Sequence, residues 1–385
     1  MSPVSSRVPH GQSPLRTVQV LGGGNAGSWE RPLLEELGGR HVRSLAAGLV
    51  ARGVRVTVCA PEETDRVHGF TGVGADHVPV PRSSAPVSVA ALRTACADAD
   101  LVHAHGLHAS FRAVLALSGR RTPLVVTWHD HARAEGPRAQ LLRVLEKRVA
   151  KAATVVLGTT SVLVDRARRR GARDARLAAV TVPRPRAGYA HPDRPSAKVR
   201  AELGATGRPL LIAVGSLDAH RGHELLLDAA RAWRPLDPPP LVVIAGEGPL
   251  RAVLQRRIED EDLPVRLLGR REDAGELLAA ADLALLPASA EARSVLAQEA
   301  LHARVPLVAA RTAAVPEIVG EAAELVPPGD PRAFAAAVAR LLADPERRRT
   351  LRERGTRQAA TWPTEDETVA QVLSVYDELT QPPGR

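Results

Sequence analysis

Short runs of aliphatic and β-branched residues alternate with stretches of helical spacing along most of the 385-residue chain. In the first half the runs are TVQVL, RVTVCA, DHVPVP, DLVHAH, PLVVTW, ATVVLG and LAAVTVP. Between them lie segments such as HVRSLAAGLVARG, where Val42, Leu45, Ala46 and Leu49 share one helical face and Gly53 supplies a C-terminal stop. Apolar strands separated by helices predict parallel α/β units. The alternation breaks between Pro183 and Pro209, where prolines, glycines and charge replace apolar periodicity, and resumes with LLIAVG, LVVIAGEG, VRLLG, ADLALLP and VPLVAA. The pattern therefore predicts a leader over 1–15, a first α/β domain over 16–182, a linker over 183–209 and a second α/β domain over 210–360. A last helix, 361–380, starts with an acidic turn and has no strand after it, so it can pack on the second domain or cross back to the first.

Composition narrows the class without naming a ligand. The net charge of +9 comes from 52 basic and 43 acidic residues interleaved along the chain, and aromatic residues make up 2%, so nucleic acid is not the expected partner. Cys59 and Cys96 have neither disulfide-framework nor metal-site spacing, which fits a reduced, cytoplasmic protein. The opening MSPVSSRVPHGQSPLRT lacks an apolar core and reads as a disordered leader, not a signal peptide. No apolar run approaches transmembrane length.

Candidate chemistry gathers where the strands end. In VLGGGNAG, Gly22, Gly24 and Gly27 satisfy the spacing of a dinucleotide-binding loop, but SWERPLLEELGG intervenes before the helix and Glu62 is only an approximate ribose partner. A glycine loop lengthened by an insertion accounts for it better. Gly38 and Gly39, just before the helical stretch from His41, suit a close approach of backbone to a ligand and equally to a packed neighbour. His103 and His105, then His129 and His131 with Asp130 between them, fall at strand ends. His-x-His puts two rings on one side of a strand, a conceivable metal set. Without cysteine ligands or a second carboxylate at matching spacing, polar contacts in a cleft are the expectation, no metal is expected, and His103 and His131 read as structural.

The second half is more specific. In VGSLDAHRGHELLLDAA, Gly215 closes a strand and Arg221 precedes a glycine and a helix start, a suitable clamp for a diphosphate; a solvated loop arginine is the alternative. In EARSVLAQEAL, Glu291 falls in a loop and Glu299 in the helix that follows. Eight helical residues would span roughly 12 Å, whereas glycosidase carboxylates flank one bond at about 5 to 9.5 Å. The pair suits the two ends of an extended ligand, with the amides of Ser294, Val295 and Leu296 placed to receive an anion.

Taken together, these motifs resemble the retaining glycosyltransferases of family 4, whose GT-B architecture sets two Rossmann-like, doubly wound α/β domains face to face across a cleft. The resemblance covers almost the whole chain and rests on GGRHVRSLAAGLVARGVRVTV, DLVHAH, VVTWHD, VGSLDAHRGHELLLDAA, VVIAGEGP, EARSVLAQEAL with VPLVAARTAAVPEIV, and AAELVPPGDP. It implies transfer from a UDP- or GDP-sugar co-substrate, with no separate cofactor and no metal, to a small-molecule, glycan or lipid-linked acceptor on the first domain. It also implies that Glu299 binds the donor ribose and Glu291 the donor sugar, while Ser294, Val295 and Leu296 receive the diphosphate. Arg221 matches the family's basic phosphate clamp, and Gly215, Ser216 and Gly246 line the same donor site. His129 matches a histidine near the reacting sugar, and Gly38, Gly39 and His105 match the acceptor side.

The sequence departs from the family pattern in several places. Ser216 stands where a second phosphate-binding arginine is usual, EARS lacks the usual glycines, VTVPRPRAG lacks the usual junction turn, and residues between Gly24 and Gly38 lengthen the first-domain loop. Ser216 keeps open a catalytically degenerate GT-B protein acting as partner or regulator, and GGGNAG alone supports a NAD-dependent oxidoreductase. QLLRVLEKRVAKAA and DRARRRGAR suit either peripheral membrane contact or solvated helix faces.

Overall fold

The structure, a computed structural model, describes residues 14–22, 31–81, 86–129, 136–180, 196–271, 273–288, 294–312 and 314–380, with 31–37 and 138 described by backbone only. Seven parallel strands form the first sheet: β1 (Arg16–Val20), β2 (Arg55–Ala60), β3 (Asp76–Pro79), β4 (Leu101–His105), β5 (Leu124–Trp128), β6 (Val155–Gly158) and β7 (Ala175–Leu177). Their spatial order is β3-β2-β1-β4-β5-β6-β7. The second sheet contains β8 (Leu210–Val214), β9 (Leu241–Ala245), β10 (Val265–Gly269), β11 (Leu283–Leu286), β12 (Leu307–Ala310) and β13 (Ala323–Val326), in the order β10-β9-β8-β11-β12-β13. Both orders reverse direction at the first strand of their sheet, between β1 and β4 and between β8 and β11. In an open parallel sheet, that reversal leaves a crevice at the strand carboxyl ends where ligands bind.

The near-continuous apolar runs are explained by burial on both faces, since every residue of β4, β5, β9, β11 and β12 is buried. Helices cover each sheet on two sides and create two apolar layers per domain. The proline-containing run DHVPVP becomes the edge strand β3, where Pro79 leaves no central ladder position without a donor.

Three expectations change on the structure. The run LAAVTVP does not form a strand of its own: pairing ends at Leu177, and Ala178 and Val180 are buried beyond the sheet edge. The interval 183–209 is not all linker, because Ser196–Glu202 is a helix whose Val199, together with Leu203 and Ala205, belongs to the core of the second domain. Val199 and Leu203 are spaced one turn apart among good helix formers, and Pro195 lies ahead of the helix where it breaks nothing. The third change concerns the first helix, which runs from Arg31 to Val50, so Gly38 and Gly39 lie inside it and not before its start.

The helix Glu365–Thr380 packs on the first domain, although it follows the whole of the second in sequence. Val369, Val372, Val375 and Tyr376 join the apolar layer of the first sheet, at about 1.5–3 kcal/mol per buried side chain as an upper estimate. A Cβ on Gly48 would collide with Val369, so glycine admits the helix to the face of Arg31–Val50. Polar contacts staple its two ends: Ser44 Oγ–H donates to Glu365 at 2.6 Å, and Arg176 pairs with Glu378 at 2.7 Å. No helix among the described residues is long and apolar enough to cross a membrane.

Candidate functional site

The carboxyl ends of β8, β9 and β10 converge through glycine. Gly215 N–H donates to Ala245 O at 3.0 Å, Gly246 N–H donates to Gly269 O at 2.8 Å, and a Cβ on Gly246 would collide with Gly215 O. Ser216 follows, 8% exposed, with its carbonyl accepting from the Nε2–H of His223 at 3.0 Å. Burial pushes the His223 pKa down to about 4 against the opposing pull of that carbonyl, so the ring is neutral at pH 7.

Arg221 closes a single 3-10 turn, Ala219–Arg221, and Gly222 then adopts a left-handed conformation at φ 72° before the helix His223–Trp233. A Cβ on Gly222 would collide with the carbonyl of Pro287, the first residue after β11. The glycine therefore lets the Arg221 turn dock at the switch point itself. Arg221 Nε–H donates to Ser216 Oγ at 3.4 Å, which links the guanidinium to the loop that leaves β8.

On the far side of β11, Ser294 caps the helix Val295–His302 by accepting from Ala297 N–H at 3.2 Å. The Val295 and Leu296 amides occupy the first turn, where a helix offers no internal acceptor. Glu299 lies just over one turn into the same helix and is half-buried, while Glu291 lies outside the described residues. The residues expected on the donor side thus come from loops that follow β8, β9 and β11.

On the first domain, His105 ends β4 and His129 follows β5. His105 is buried; its Nε2 and Gln19 Oε1 are 3.0 Å apart, and Gln19 Nε2 donates to the Tyr376 hydroxyl at 3.0 Å. His103 has no exposure at all and hydrogen bonds through Nδ1 to Tyr376 and through Nε2 to Thr127, each at 2.7 Å, as a structural histidine should. Burial, and next the His41 ring, push the His103 pKa down to about 3; burial also holds His105 well below the usual histidine range. His131 and Asp130 lie outside the described residues, as do Gly24 and Gly27. Gly22 is held from behind by the fully buried Arg112, which also donates to Leu21 O at 3.0 Å and Pro81 O at 2.7 Å.

Gly38 and Gly39 do not offer helix N-terminal amides to a phosphate, because two helical turns precede them. At Gly39 the small side chain serves packing: a Cβ there would collide with the His68 ring. His41, one turn behind Leu45, was the residue that motif reading passed over, although a polar group on an apolar helical stripe was the available signal. A second unforeseen contact joins the domains: the Glu317 carboxylate, beyond β12, accepts from Ser161 N–H at 3.1 Å and Ser161 Oγ–H at 2.5 Å, beyond β6. The carboxyl edges of both sheets therefore face one another.

Comparison with known proteins follows the same division. Residues 38–183 match the family described as Glycosyl transferase 4-like domain, and residues 196–358 match Glycosyl transferases group 1. A GDP-mannose-dependent alpha-(1-6)-phosphatidylinositol dimannoside mannosyltransferase of Mycobacterium tuberculosis is 34% identical over 175 residues, a match spanning 45% of this chain and 45% of that relative's length. A D-inositol 3-phosphate glycosyltransferase of Salinispora arenicola is 28% identical over 377 residues, covering 90% of this chain and 80% of its own. Among solved structures, Anabaena HepE in complex with UDP-glucose superposes with a TM-score of 0.75 at 19% identity, covering 94% of this chain and 100% of that one. Sucrose-phosphate synthase from Thermosynechococcus elongatus does so with a TM-score of 0.71 at 21% identity, covering 95% and 99%. At such identities the structural likeness speaks to the fold alone. The two family matches, one on each Rossmann-like domain, together span most of the described chain, which belongs to the group 1 glycosyltransferases of the GT-B fold.

Proposed function

We propose that the protein transfers a sugar, with retention at the anomeric carbon, from a UDP- or GDP-sugar to an acceptor held by the first domain. The observation that carries this reading is the docking of the Arg221 turn against the end of β11, the strand that the Ser294-capped helix follows. A guanidinium and first-turn amides around one switch point suit a diphosphate better than they suit a neutral ligand. Relatives named as GDP-mannose-dependent, and HepE in complex with UDP-glucose, supply the two nucleotides to consider.

In this reading the acceptor oxygen attacks the anomeric carbon on the face from which the diphosphate leaves. The new carbon–oxygen bond forms as the bond to the phosphate oxygen breaks, and the acceptor's proton passes to the departing phosphate. Arg221 and the Val295 and Leu296 amides stabilise the charge that develops there, so the step calls for no metal and no cofactor beyond the co-substrate. Glu299 holds the ribose hydroxyls, Glu291 the donor sugar, and His129 lies on the sugar's first-domain side. Gly215, Ser216 and Gly246 line the donor site, and His105 supports the acceptor side. We place the protein in the cytoplasm. There the helix Gly136–Ala152, with Leu141 and Val144 exposed among Arg143, Lys147 and Arg148, suits a lipid-linked acceptor at an anionic membrane surface.

A second reading, a catalytically degenerate partner protein, rests on Ser216. A hydroxyl there replaces a charge-assisted hydrogen bond worth about 1.5 to 3 kcal/mol. The test is a donor screen with product mass spectrometry on the wild type and on Ser216→Arg. Transfer by the wild type supports the enzyme; an inert wild type with an active Ser216→Arg variant supports the degenerate protein instead.

A further inference from the structure

The helix Arg31–Val50 brings a third imidazole to two that the strand ends carry. His41, His105 and His129 each offer a ring nitrogen, and the three nitrogens lie within 4.8 Å of one another. The ring centres are 5.1 Å apart for His41 and His129, 5.6 Å for His41 and His105, and 5.9 Å for His105 and His129. Imidazoles sharing one tetrahedral metal through nitrogens at about 2.0–2.1 Å place their ring centres roughly 5.2 Å apart. The three rings are therefore spaced as a metal would space them.

Hydrogen bonding decides which nitrogen His105 presents. Tyr376 O–H donates to His103 Nδ1, whose other nitrogen donates to Thr127, and the Tyr376 oxygen accepts from Gln19 Nε2. Gln19 then has only its Oε1 to offer His105, so the proton of His105 resides on Nε2. Its Nδ1 is left as a bare lone pair, buried and with no hydrogen-bond partner among the described residues. An anion would need N–H groups turned inward, whereas a lone pair suits a cation. Orientation of one ring nitrogen through a bond at the other is how metal-ligating histidines are held.

We propose that His41, His105 and His129 form a three-nitrogen site for a divalent transition metal of the zinc class. Two of the ligands are buried, and His129, the half-exposed member, leaves the fourth position to water or a ligand oxygen. The site goes beyond the transfer reaction proposed above, and no step of that reaction runs through it.

The experiment is a titration of the untagged full-length protein with cobalt(II) in the absence of nucleotide. It is read by the visible absorption of nitrogen-ligated cobalt and by displacement with zinc. One equivalent is expected to bind. His41→Gln and His129→Gln are each expected to lose at least tenfold in affinity, with circular dichroism unchanged. His302→Gln, on the second domain, is expected to bind like the wild type. A wild type that takes up no stoichiometric cobalt, or a His129→Gln variant that binds as tightly as wild type, overturns the proposal. Because nucleotide is omitted, either result leaves the donor-site reading untouched.

Discussion

Arg221 supplies the charge of the turn proposed to hold the donor, and its Nε–H donates to Ser216 Oγ at 3.4 Å. Arg221→Ala is expected to weaken nucleoside diphosphate binding by about tenfold to 150-fold, the equivalent of one charge-assisted hydrogen bond of roughly 1.5 to 3 kcal/mol. Arg221→Lys, measured by the same titration, should recover most of the loss. Beneath that turn, His223 makes stability depend on pH. Its folded pKa of about 4 lies below the unfolded value near 6.5, so the folded state excludes a proton that the unfolded chain accepts. The stabilisation is present above pH 6.5 and is lost as pH falls toward 4, the loss relative to high pH amounting to about 2 kcal/mol at pH 5. Urea unfolding at pH 7 and pH 5 checks this, and His223→Gln should flatten the difference. At this scale the sequence was legible where chemistry is local: Arg221 before a glycine, and Glu299 within its helix. It was silent on His223, whose role depends on a carbonyl seven residues earlier, and on His41, whose partners come from β4 and β5.

The helix Glu365–Thr380 is the element whose destination the pattern could not settle, because an acidic first turn and an apolar stripe fit either domain. Its choice rests on tertiary facts, the absence of a side chain at Gly48 and a hydrogen-bonding place for Tyr376 between Gln19 and His103. Tyr376→Phe keeps the ring but strands two buried polar atoms. A loss of about 1–3 kcal/mol is expected in chemical denaturation, with little change for the second domain if the two unfold separately. The strands and helices themselves were largely readable, since burial on both faces imposes continuous apolar runs. What escaped was the start of elements near proline: the helix from Ser196 hides behind Pro195, and the first helix begins at Arg31, ahead of the apolar stripe from His41.

Across the whole molecule, the Glu317 carboxylate on Ser161 is a direct tie between the facing sheet edges. Such a contact joins residues 156 positions apart, which no local pattern announces. Glu317→Ala is expected to widen the separation of the domains, seen as a larger radius of gyration in solution scattering; an unchanged profile would mean the contact does not hold them. The doubly wound order of both sheets gives the molecule two switch points, and the groups proposed to hold the donor come from the strand ends around one of them. The central claim is that this collection binds a nucleoside diphosphate. Isothermal titration of the wild type, Arg221→Ala and Glu299→Ala with UDP and GDP tests it most directly. One of the two nucleotides should bind the wild type at one equivalent and both variants at least tenfold more weakly, whereas no binding by either nucleotide, or equal binding to all three proteins, would contradict the account.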